Sequence, residues 1–133
     1  MTFEESLYKF LSTNSDITAL VGTRTYPVIL QQGSILPALV YQEISAIHSH
    51  FFGGDSGHCS KIFQISIYGT TYSSVKTVAA TLKKVLRNYS GTLGTGGINI
   101  QAVLVQSELD DYDDQAKEFF VKQDYEFIFE EAV

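Results

Sequence analysis

The chain has 133 residues, a formal net charge of −6, 44% hydrophobic and 18% charged residues. That length buries enough surface for one domain spanning 1–133, and the composition excludes wholesale disorder. Fifteen acids against nine scattered bases argue against a surface that grips phosphates, which needs clustered Lys and Arg.

Cys59 is the only cysteine, so no disulfide forms within the chain and a reducing compartment fits best. The opening MTFEESLYKF carries two acids where a signal peptide has a basic flank, and no apolar run approaches the length of a membrane span. Synthesis in the cytoplasm, without a membrane, is the expectation.

Thr2 with Glu5 three residues on predicts a capping box opening a short helix through Leu11, with Phe3, Leu7, Phe10 and Leu11 as its apolar stripe. Asn14 or Ser15 caps a second short turn that points Ile17, Leu20 and Val21 inward and stops at Gly22. Pro27 and Pro37 then bracket an extended or looped segment.

Ala38 to Phe52 and Ser60 to Gly69 alternate as strands do. Pairing apolar with apolar around a turn at Gly54-Asp55 sets Phe63 against Ala46, Ile65 against Ile44 and Ile67 against Gln42. The same register places His50 opposite Cys59 and His48 opposite Lys61.

Thr70 or Thr71 caps a helix from about Tyr72 to Tyr89. Its stripe is Val75, Val78, Ala79, Leu82, Val85, Leu86 and Tyr89, with Lys83, Lys84 and Arg87 complementing the dipole in its last turns. Gly91 to Gly97, GTLGTGG, follows a helix C-terminus and leads into a strand. That context suits a mobile linker or an inter-subunit contact and not a phosphate loop, which opens a helix.

Strands are predicted at Ile98 to Ser107 and Lys117 to Glu130, joined by the acidic turn ELDDYDD. Odd residues of the last strand pair best with Ile98, Ile100, Ala102 and Leu104. That pairing leaves Val103, Val105, Phe120 and Ile128 on the second face, where apolar residues point to a partner subunit. The fold class is α+β: an antiparallel sheet of about four to five strands built from two hairpins. One long helix packs on a face, beside a short N-terminal helix.

Three clusters invite a site. His48, His50 and Cys59 form a candidate metal set, but zinc wants three or four ligands in a closed tetrahedron and Lys61 would sit beside them. Nucleophilic catalysis by Cys59 or Ser56 lacks an Asp or Asn to orient a histidine. The hairpin tip, with Phe51, Phe52 and Asp55, reads better as a docking element. Glu108, Asp110, Asp111, Asp113 and Asp114 lack the spacing of a calcium loop and read as a solvated turn, or as a negative surface for a channel or basic partner. No cofactor, no metal and no enzymatic activity is expected. The alternative is a small metal- or ligand-binding module centred on the hairpin 48–59.

The order of motifs carries one more signal. ESLYKFLSTNSDITALVGTRTYP is followed by ILPALVYQEIS, then KIFQISIYGTTYSSVKTVAATLKKVL, the GTLG turn and QSELDDYDD. This series resembles the tail completion, or tail-to-head joining, proteins of long non-contractile-tailed phages, from Glu5 to about Phe129. The resemblance implies a structural virion protein similar to tail terminators, located at the head–tail interface. Such proteins form a hexameric ring on the tail tube, contact the major tail tube protein and a head-completion or connector protein, and pass DNA through the lumen without specific binding. On that reading, Val103, Val105, Phe120, Ile128 and the hairpin tip serve subunit contacts and the acidic run faces the lumen or a partner. The 27–37 and 48–60 segments are the candidates for ordering on assembly.

Overall fold

The computed structural model describes residues 2–30, 35–51, 54–87, 89–94 and 97–130, without the side chains of 46–59 and 130. These form three helices and six strands: α1 Phe3–Thr13, α2 Ser15–Val21, β1 Thr25–Pro27, β2 Ala38–Phe51, β3 Gly54–Gly69, α3 Tyr72–Leu86, β4 Gly91–Thr92, β5 Asn99–Asp113 and β6 Glu118–Glu130.

Local signals set the helices. The Thr2 hydroxyl accepts from the Glu5 N–H at 3.1 Å, and the Glu5 carboxylate answers the Thr2 backbone, completing the predicted capping box. Asn14 both ends α1 and caps α2, its side chain accepting from Asp16 and Ile17 N–H. Gly22 stops α2 at φ 60°, a conformation costly for residues with a Cβ. Thr71 caps α3, which ends at Leu86 rather than Tyr89.

The sheet order is β1-β2-β3-β6-β5-β4. Both predicted hairpins are present, β2 with β3 and β5 with β6, and the antiparallel β3–β6 ladder joins them. Two short strands were not anticipated: β1 adds parallel to β2, and β4 adds antiparallel to β5. Hence six strands stand where four to five were expected, with one parallel pair.

One face of the sheet carries the core. Leu39, Tyr41, Phe63, Ile65, Ile67, Val121, Tyr125, Phe127 and Phe129 pack against Phe3, Leu7 and Leu11 of α1, Ile17 and Val21 of α2, and Val75, Val78 and Leu82 of α3. Phe3 is the aromatic hub, with ring centroids 5.0 Å from Phe63, 5.1 Å from Phe127 and 4.9 Å from Phe129. Burying an aromatic or large aliphatic side chain contributes roughly 1.5–3 kcal/mol before entropy. The apolar stripes of the helices and this sheet face therefore hold the domain.

Register is where the structure departs from expectation. Ile65 pairs with Tyr41 and Ile67 with Leu39, while Phe63 pairs with Glu43. A bulge between Glu43 and Ser45 leaves Ile44 as the extra residue, 51% exposed instead of facing Ile65. Gly54 and Asp55 belong to β3, paired with Phe51 and His50, so the turn expected at Gly54-Asp55 is corrected. A second bulge, between Ile100 and Ala102, swaps the faces of β5: Val103 is fully buried and Val105 packs partly buried against the core, while Leu104 is 43% exposed. Val103 and Val105 are thereby removed from the outer face, and Ala102 and Leu104 take their places.

Candidate functional site

The acidic segment is a strand and not a turn. Glu108 to Asp113 continue β5, paired with Gln123 through Glu118, and the connection to β6 begins at Asp114. Strand alternation then divides the acids between two faces. Glu108 pairs with Lys83 Nζ at 2.9 Å and accepts from Gln123 Nε2 at 3.0 Å. Asp110 accepts from the Tyr72 hydroxyl at 2.7 Å and pairs with Lys76 Nζ at 3.3 Å. These contacts hold both carboxyls below their ordinary values, chiefly through Lys83 for Glu108 and through Tyr72 for Asp110. Asp111, Asp113 and Asp114 are exposed, and Asp113 turns its carboxylate onto the N–H groups of Gln115 and Ala116. Two of the five acids of the expected negative surface, Glu108 and Asp110, are thus tied down by α3.

The helix-free face is polar along its centre. Glu126 accepts from Ser60 and from Gln106 Nε2 at 2.7 Å, and Asp124 accepts from Gln64 at 3.1 Å and Ser107 at 2.8 Å. Phe120 and Ile128 lie here as expected, both half-buried. The Phe120 ring packs on Tyr68 at 5.7 Å, under the Lys122 ammonium at 5.4 Å.

Large aliphatics are exposed in the 27–37 segment, which sequence reading singled out as a candidate for ordering on assembly. Val28, Ile29 and Ile35 are 64%, 67% and 71% exposed, an unusual outlay of large aliphatics. Val28 also takes φ 64°, a left-handed conformation costly for a β-branched residue, while its N–H donates to Tyr41 O at 2.8 Å. Val28, Ile29 and Leu30 form one wall of a 420 Å³ cleft completed by Tyr68, Asp113 and Glu118. Five large aliphatics between Pro27 and Pro37, Val28, Ile29, Leu30, Ile35 and Leu36, were the available signal.

Among the described residues β6 pairs with β3 only from His58 onward, and Gly54 and Asp55 pair with β2. Among these residues the hairpin end is a two-stranded ribbon carrying Phe51 and Asp55, while Phe52 lies outside the described residues. Within the ribbon His48 pairs with Cys59 and His50 with Asp55, so the expected pairing of His50 with Cys59 and of His48 with Lys61 is corrected. A bulge between His48 and His50 breaks the alternation that would set them on one face. The side chains of His48, His50 and Cys59 lie outside the described residues. Lys61 is engaged elsewhere, 3.2 Å from both Glu4 and Glu43 and over the Phe3 ring.

The described part of the glycine segment is docked on α1 through Leu93 and Ser6. Leu93 is fully buried, and the Ser6 hydroxyl donates to Leu93 O while accepting from Ile98 N–H at 3.0 Å. Among the described residues no three His, Cys, Asp or Glu side chains converge as a metal site, and no helix is long and apolar enough to cross a membrane.

The fold and these surfaces define a class: a small α+β subunit with helices on one sheet face, a two-stranded ribbon and exposed aliphatics in the 27–37 segment. The chain belongs to the family described as Tail completion protein gp17, which it matches over residues 5–130. It is thereby a structural protein of a phage-type virion tail. Its fold is similar to that of a chain in the virion of a native gene transfer agent particle, at 15% identity and a TM-score of 0.77, covering 96% of this chain and 94% of that one. A second solved chain, 19% identical, aligns with a TM-score of 0.57 over 98% of this chain and 92% of its own length. No curated protein sequence matches.

Proposed function

We propose that copies of this chain close the end of the tail tube as a hexameric ring and form the platform that joins the tail to the head-completion or connector protein. The observation that carries the reading is family membership over nearly the whole chain. The ribbon with Phe51 and Asp55 suits insertion between subunits or into a neighbour. Phe120, Ile128 and the exposed Val28, Ile29 and Ile35 are apolar surface available to the tube protein or the connector. Asp111, Asp113 and Asp114, left free of α3, suit a lumen that repels passing DNA or a contact with a basic partner. No cofactor or metal enters this role.

Cryo-EM of tails purified with and without the gene for this chain tests the reading. The expected result is ring density at the head-proximal end of the tube that disappears on deletion, with heads and tails left unjoined. Normal joined particles without the chain would refute it.

A further inference from the structure

The outermost strands of the sheet leave most of their neighbours uncovered. β1 covers β2 only from Leu39 to Tyr41, and β4 covers β5 only at Asn99 and Ile100. From Gln42 to Phe51 on β2, and from Gln101 to Asp113 on β5, the described ladders run along one side of the strand alone. Open edges of that length present rows of backbone N–H and C=O groups able to pair with another chain.

Edges that must not pair are blunted with charge, proline or bulges. β5 is blunted in its second half by Glu108, Asp110, Asp111 and Asp113. Between its two bulges, Ala102 to Val105 form a regular, uncharged stretch with Leu104 43% exposed. From Gln42 to Ile47, β2 has one charged residue, Glu43, no proline, and a single bulge that sets Ile44 outward at 51% exposure. Each edge thus retains one short segment that is open and low in charge, with a large aliphatic exposed on it.

Strand direction says what fits them. β2 runs antiparallel to β3, β3 to β6 and β6 to β5, so β5 runs opposite to β2. A second copy set beside the first in continuation of the sheet brings its β5 antiparallel to the first copy's β2. That is the arrangement of every long ladder already in the fold. The contact joins two different surfaces of one chain, so it repeats from copy to copy and closes when the rotation allows.

We propose that β2 around 42–47 pairs with β5 around 102–106 of a second copy, making one continuous sheet through the ring. The proposal rests on the ring reading above and specifies its subunit contact. All helices then lie on one surface of the ring, and the bare face with Asp124 and Glu126 forms the other.

The test uses a Cys59→Ser background, with single cysteines at each position from 42 to 47 in one variant and from 102 to 106 in another. Mixed variants are loaded on tails and oxidised. Disulfides joining β2 to β5 cysteines between copies, without β2–β2 or β5–β5 products, support the proposal. Ring density with only same-strand disulfides, or with none at any position, overturns it while leaving the ring reading intact. Tails without ring density overturn both. As a second measurement, Ile44→Lys and Leu104→Lys alter exposed side chains, so each is expected to keep the circular dichroism of the parent and lose loading onto tails. Loading at parental level by both variants overturns the edge contact.

Discussion

A Cβ placed on Gly97 would fall 2.2 Å from the Ser6 hydroxyl oxygen and 1.9 Å from the Leu93 carbonyl oxygen. The glycine segment therefore sits against α1 at a distance that only a missing side chain permits. Ser6, fully buried, occupies the gap by bonding both Leu93 O and Ile98 N–H.

Gly97→Ala must open the turn at Leu93, because the nearest clashing atom is the backbone carbonyl of that residue, and it displaces the Ser6 hydroxyl as well. Overpacking of this kind costs about 1–3 kcal/mol, read as a fall in the urea midpoint with unchanged slope. Ser6→Ala leaves two backbone groups without that partner and costs a similar ~1–3 kcal/mol. If the turn is tied to α1 as described, the two losses in the double variant sum to less than the separate values.

Gln123 is the buried polar node under α3. Its amide donates to Ala79 O at 3.2 Å and to Glu108 at 3.0 Å, and its carbonyl accepts from the Tyr125 hydroxyl at 2.7 Å. Burial pushes the Tyr125 phenol well above its ordinary value, so Tyr125 stays a neutral donor. Gln123→Leu leaves the Tyr125 hydroxyl without its acceptor and is expected to cost about 1–3 kcal/mol in thermal or urea unfolding. Tyr125→Phe in that background recovers part of the loss, since it removes the orphaned hydroxyl.

Acid sensitivity should be traceable to Glu108. Its carboxyl is held below 4.5 by Lys83 first and Gln123 second. A group depressed in the folded state contributes stability above its unfolded value and loses it as pH falls through the folded one. The stability difference between the parent and Glu108→Gln is therefore expected at neutral pH and should vanish as pH falls through the lowered folded-state value of this carboxyl. The pair is more than one-third exposed, so the difference stays under about 1 kcal/mol and shrinks with salt. A difference that grows on acidification would contradict this assignment.

The helices and their caps were legible because each signal is local: Thr2 with Glu5, Asn14, Gly22, Thr71, and stripes at three- and four-residue steps. Both hairpins were legible from period-two alternation, but their registers were not. A bulge shifts the pairing by one residue without leaving a mark in the alternation, as at Ile44 and between Ile100 and Ala102. Glu108 to Asp113 looked like a turn because charge is common in turns. On an open edge strand the same charges serve the sheet, two of them binding cations from α3. Ser6 and Gln123 carried no sequence signal, because their partners lie in distant segments.

The β3–β6 ladder also sets the order in which the protein can be made. It joins Phe63 to Tyr125 and Ile67 to Val121, partners separated by most of the latter half of the chain. Contacts that distant pay their loop-closure entropy before any packing rewards it. On a ribosome, the β2–β3 hairpin, α1 and α2 emerge first and wait with one edge of β3 open until β6 arrives. The newly made chain is exposed to wrong strand pairing during that interval. Expression yield should therefore respond more to the speed of late translation and to chaperone supply than to stabilising changes in the helices.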